Sequence, residues 1–143
     1  MNKLRYIFDK APSLVEDHLF RSQNRLAALE VLYERKSWAD VVRESQEIVE
    51  LALKALLKHS NIEVPRIYDV SQILIENKPL FSTDLKNHIE RFSEISREMR
   101  RDRELSFYGS EDLTPSEFYK EADAKKARDN VTWLVELIVK VLL

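Results

Sequence analysis

The segment SWADVVRESQEIVELALKALLKH, residues 37–59, constrains the fold more than any other stretch of the chain. Trp38, Val41, Val42, Ser45, Ile48, Val49, Ala52, Ala55 and Leu56 recur at intervals of three and four, the period that gathers side chains onto one stripe of an α-helix. From Ile48 onward, Leu51, Leu53 and Leu57 widen the apolar surface beyond that stripe. A helix that is apolar over most of its circumference must be covered from more than one side. The segment therefore predicts a helix that is central to the domain or that also meets another subunit.

The flanking sequence reads as further helices. Pro12 followed by Ser13-Leu14-Val15-Glu16 is a capping-box start, and Leu14, His18, Leu19, Ser22, Leu26, Leu29, Leu32 and Tyr33 keep helical spacing to about Lys36. Ser37 offers a second N-cap almost at once, and so short a connection predicts antiparallel packing of the first two helices. The segment SNIEVPRIYD ends the second helix, and Asp69 can cap a short one through Glu76 with Val70, Ile73 and Leu74 inward. Asn77-Lys78-Pro79 closes it. A third long helix is predicted from about Ser82, with Leu85, Ile89, Phe92, Ile95 and Met99 inside, stopping at Gly109. Thr114-Pro115-Ser116-Glu117 is another capping box, leading to a turn with Phe118 and Tyr119. The last helix, from near Ala122, puts Ala124, Ala127, Val131, Leu134, Val135, Ile138 and Leu142 inside. The fold class expected is all-α: an antiparallel bundle of four long helices plus one or two short ones, with residues 1–143 as a single domain.

Composition narrows the chemistry. A single glycine among 143 residues cannot form the Gly-rich loops that bring backbone amides against phosphate in Walker and dinucleotide sites. Without Cys there is no thiolate chemistry, and His18, His59 and His88 lack the spacing of a metal pair, so neither a metal nor a cofactor is implied. A net charge of −2 and a pI near 6.0 give no global basic field. The most apolar window, Val131 to Leu143, is interrupted by Glu136 and Lys140 and is shorter than the roughly 20 residues a bilayer requires. It reads as a core helix. No apolar run at the amino terminus resembles a secretory signal, so the expected location is cytoplasmic.

One polar segment stands out, REMRRDRELSFYG, residues 97–109. Arg97, Arg100, Arg101 and Arg103 occupy the last turns of one helix, where the helix dipole favours cations and where guanidinium forks can grip a phosphate. The same helix end also reads as a solvated face in which Glu98, Asp102 and Glu104 pair with those arginines.

Two stretches resemble the HEPN family. Residues 45–57, SQEIVELALKALL, are similar to its second helix, with Glu50 four residues before a Lys-Ala-Leu-Leu ending. Arg103 to Tyr108 falls where the family carries an Arg, several variable residues and a His. The resemblance implies a helical bundle that pairs as a homodimer and acts with a nucleotidyltransferase partner, as in toxin–antitoxin pairs. Many members are metal-independent ribonucleases in which the Arg contacts the scissile phosphate and the His moves protons. Carried over by position, Arg103 matches the Arg, Glu50 an acidic residue of the second helix, and Tyr108 the place of the His. A phenol, with a pKa of about 10, is a poorer base at neutral pH than an imidazole, with a pKa of about 6.5.

Tyr108 then has three readings: an aromatic plug under the helix end, a partner that stacks on a nucleotide held by Arg103, or an acceptor of an adenylyl group. The function expected first is a homodimer that binds a nucleotide or RNA phosphate through Arg100, Arg103 and Tyr108. The competing expectations are a ribonuclease using Arg103, Tyr108 and Glu50 with a degenerate motif, and a non-catalytic adaptor that meets its partner through Leu51, Leu53 and Leu57.

Overall fold

A computed structural model describes residues 13–64, 70–109 and 113–143, except the side chains of 102–107. The long helices are α1 (Leu14–Glu34), α2 (Trp38–His59), α5 (Ile89–Tyr108) and α7 (Glu121–Leu142). Between them lie α3 (Val70–Glu76), a 3-10 turn (Lys78–Leu80), α4 (Thr83–Lys86) and α6 (Pro115–Phe118). The all-α expectation holds, with more short elements than the one or two anticipated.

Local chemistry explains most of the boundaries. The Ser13 hydroxyl accepts the Glu16 N–H at 3.1 Å and starts α1. Both α1 and α2 end in the same hydrogen-bond pattern. Ser37 N–H donates to Leu32 O and Lys36 N–H to Tyr33 O, each at 3.0 Å, while Ile62 N–H donates to Leu57 O at 2.9 Å and Asn61 N–H to Lys58 O at 3.0 Å. The residues that turn the chain, Lys36 (φ 59°) and Asn61 (φ 58°), sit in the left-handed region although neither is glycine. Ser37 is the N-cap of α2 as expected, but its hydroxyl donates to Asp40 Oδ2 at 2.6 Å instead of accepting a backbone N–H.

The helix expected to run unbroken from Ser82 is interrupted after Lys86. Neither Pro nor Gly marks the break; His88 N–H donates to Leu85 O at 2.8 Å, which keeps both Leu85 and Ile89 in the core. The expected stripe of Leu85, Ile89, Phe92, Ile95 and Met99 is buried throughout.

Helix α2 packs against α1, α5 and α7 and forms the centre of the bundle. Leu53 and Leu57 are fully buried within one chain, so the widened apolar face of α2 is consumed by its own neighbours. The adaptor surface expected at Leu51, Leu53 and Leu57 does not exist in that form, because two of its three side chains are closed to any partner. Cross-helix pairs show direction. Arg25 Nε with Glu44 Oε1 at 2.7 Å and Tyr33 with Trp38 set α1 antiparallel to α2, since residue numbers fall on one helix as they rise on the other. Arg91 with Asn130, Lys126 with Glu98, and Phe92 with Trp133 do the same for α5 and α7.

Candidate functional site

The C-terminal end of α5 is shaped by one backbone position. Gly109 has φ +82°, and a Cβ placed there would lie 2.5 Å from Leu113 O and 2.8 Å from Pro115 Cδ. Only glycine satisfies both the left-handed conformation and the close approach. The start of α6 is held by a capping box in which the Thr114 hydroxyl accepts Glu117 N–H at 3.3 Å and Glu117 Oε1 accepts the Thr114 N–H at 3.3 Å.

Behind this turn, Arg97, Arg100 and Arg101 are exposed on α5 while Met99 between them is buried. Tyr108 is 72% exposed, which overturns the plug reading. Tyr119 fills the core at that end instead, 3% exposed, with its ring edge-on to Phe118 at 4.9 Å. The self-paired reading of the arginine row also weakens. Glu98 is drawn across to Lys126 at 3.5 Å and Glu94 pairs with Arg91 at 3.0 Å, and among the described residues Arg97 and Arg101 make no ion pair. Arg103 belongs to α5, but its side chain, like those of Asp102 and Glu104, lies outside the described residues.

Glu50 is half-buried on α2 and is not level with this end. Val42 and Met99 line one cleft, and Leu56 and Leu85 line a groove at the opposite end of the bundle, so α2 and α5 run antiparallel. That register puts Glu50 level with about residue 91. With a rise of about 1.5 Å per residue, it lies about 18 Å along the bundle from Arg103. Within one chain Arg97, Arg100 and Arg101 lie along the middle of α5 and Tyr108 ends it, spread over about 16 Å of helix, with Glu50 level with the start of α5.

Beside the arginine row is a cleft of about 170 Å³ between α5, α6 and α7, floored by Val42, Met99 and Ala127. Arg101, Glu98, Phe118, Tyr119, Asp123, Lys126 and Asn130 complete its walls. Sequence reasoning missed it, although Asp123, Lys126 and Asn130 recur at helical spacing on α7 and so share one polar stripe. Arg91 Nη2 donates to Asn130 Oδ1 at 3.0 Å, which fixes that amide at the inner wall.

The fold is an all-α bundle in which α5 exposes Arg97, Arg100 and Arg101 beside a polar cleft. The family model for the HEPN domain matches residues 15–142, nearly the whole chain, and the chain belongs to the HEPN family. No curated protein and no solved structure matches it significantly. Membership supports a nucleotide- or RNA-related function in general, and domains of this family commonly dimerise. Among the described residues no helix is long and apolar enough to cross a membrane.

Proposed function

We propose that this protein is a homodimer that binds the phosphate of a nucleotide or RNA through Arg100, Arg103 and Tyr108, acting with a nucleotidyltransferase partner in a toxin–antitoxin-like pair. The observation that carries the binding reading is an aromatic ring 72% exposed at the last residue of a helix that also exposes three guanidinium groups two to three turns earlier. Exposed arginines bind phosphate through paired N–H donors, and an adjacent ring supplies a stacking face for a base. Tyr108 in place of a histidine favours binding over cleavage, since an ordinary phenol is protonated at neutral pH and offers no free base. Because Glu50 lies far along the bundle within one chain, it joins Arg103 only from the second subunit of the dimer.

The test is a fluorescence-anisotropy titration of a labelled single-stranded RNA. Arg103→Ala lowers affinity at least about tenfold, the effect of one charge-assisted hydrogen bond. The dependence of affinity on salt becomes shallower, and the circular dichroism spectrum is unchanged. Unchanged affinity removes the site, and scission of the RNA by the purified protein replaces binding with catalysis.

A further inference from the structure

We propose that the cleft between α5, α6 and α7 is a nucleobase pocket that selects guanine, with the sugar and phosphate left outside on the arginine row. The proposal rests on the phosphate-binding reading above and gives one base a seat in this cleft, the Tyr108 ring being left to a neighbouring base of a longer RNA. Size comes first. At about 170 Å³ the cleft is smaller than the roughly 300 Å³ of the pockets that enclose whole small molecules, so a base fits while the sugar and phosphate extend from its open mouth. Arg101 lines the cleft and stands on the same helix as Arg97 and Arg100, which gives the phosphate a place to lie when the base is inside.

The walls match a planar heterocycle. Phe118 is 40% exposed at the cleft and is braced edge-on by the buried Tyr119, so it offers a fixed apolar ring for stacking. Opposite charges meet across the opening, where Glu98 Oε2 lies 3.5 Å from Lys126 Nζ and both side chains reach solvent, at 34% and 64%. An acceptor with two oxygens therefore sits beside a donor. Guanine presents the complement on one edge: N1–H and N2–H for the two carboxylate oxygens and O6 for the ammonium. Adenine and cytosine supply only one exocyclic donor group beside ring acceptors, and uracil places two carbonyl oxygens around its single N–H, against the carboxylate. Asp123 Oδ2 accepts the Lys120 N–H at 2.9 Å, which holds that carboxylate at the start of α7. On the inner wall the Asn130 Nδ2 is buried and, among the described residues, has no acceptor.

The experiment is isothermal titration calorimetry of the full chain with GMP, IMP, AMP, UMP and ribose 5-phosphate. GMP binds at least about tenfold more tightly than UMP, and IMP, which lacks the 2-amino group, falls between them. In Glu98→Gln the GMP-to-UMP affinity ratio falls toward one. The IMP comparison uses the unaltered protein and so does not depend on the folding of a variant. Equal affinity for every nucleotide and for ribose 5-phosphate, or a preference for another base, overturns the guanine pocket and leaves the phosphate site standing. Absence of binding by all five overturns both.

Discussion

Gly109→Ala tests how the end of α5 is built. At φ +82° an L-residue is strained by about 1–2 kcal/mol relative to glycine. The new methyl adds a collision 2.5 Å from Leu113 O and 2.8 Å from Pro115 Cδ, a backbone atom and a ring atom with no flexible end to swing aside. The Thr114 capping box holds both neighbours in place. The sum is at least about 2 kcal/mol, and at roughly 3 °C per kcal/mol for a domain of this size the melting temperature falls by about 6 °C or more. Hydrogen exchange should rise over residues 113–119, which the turn positions. Gly109→Asn meets the same collision but tolerates the backbone angle better, so it should lose less than alanine. Lys36→Gly is the mirror control. Lys36 sits at φ 59° with an exposed side chain, and relieving that angle should stabilise the fold by about 1 kcal/mol. Scanning calorimetry reads all three variants. A Gly109→Ala protein that melts with the wild type, or a Lys36→Gly protein that melts lower, would refute the assignment of these turns to backbone conformation.

Two further predictions concern the core. Leu53→Ala should cost about 3–5 kcal/mol in urea denaturation, because Leu53 is fully enclosed within one chain and the vacated space cannot be filled from solvent. A loss below about 1 kcal/mol accompanied by a change in oligomeric state would instead make α2 a subunit contact. His18 on α1 is held below its ordinary value of 6.5, first by burial and then by Arg21, with Lys58 and Lys54 of α2 adding to the shift and Asp17 opposing it. Above pH 6.5 the imidazole is neutral in both states. As pH falls from there toward the lowered native value, the unfolded chain takes up a proton that the folded chain resists, so stability is lost on acidification. Urea midpoints measured from about pH 7 to pH 5 should therefore decline less in His18→Gln than in the wild type. Parallel declines would remove His18 as a contributor.

The helices themselves are written in short-range pattern. The stripes of α2, α5 and α7, the caps at Ser13 and Thr114 and the stop at Gly109 each depend on residues within about four positions of one another, and all are present in the structure. Short range is also why some features escape. Lys36 adopts the left-handed turn that sequence reasoning reserves for glycine or asparagine, because the hydrogen bonds closing α1 over-determine it, while Asn61 makes the same turn after α2. The break after Lys86 carries no local signal at all, and only the shared core explains why Leu85 and Ile89 both turn inward. Whether Leu53 and Leu57 face a partner or their own neighbours is likewise a question of which helices surround α2, which apolar content alone does not answer.

The cleft is the clearest case. Its walls come from Val42, Glu98, Phe118 and Lys126, on four different helices, and no window of the sequence contains them together. Amino-acid order determined which faces are apolar and which stretch of α5 carries arginines, since those properties follow from the side chains and a 3.6-residue period. Packing decided how far each helix slides along the next. That offset, set by the fit of whole apolar faces, is what brings Glu98 to Lys126 and leaves Glu50 on a different level of the bundle.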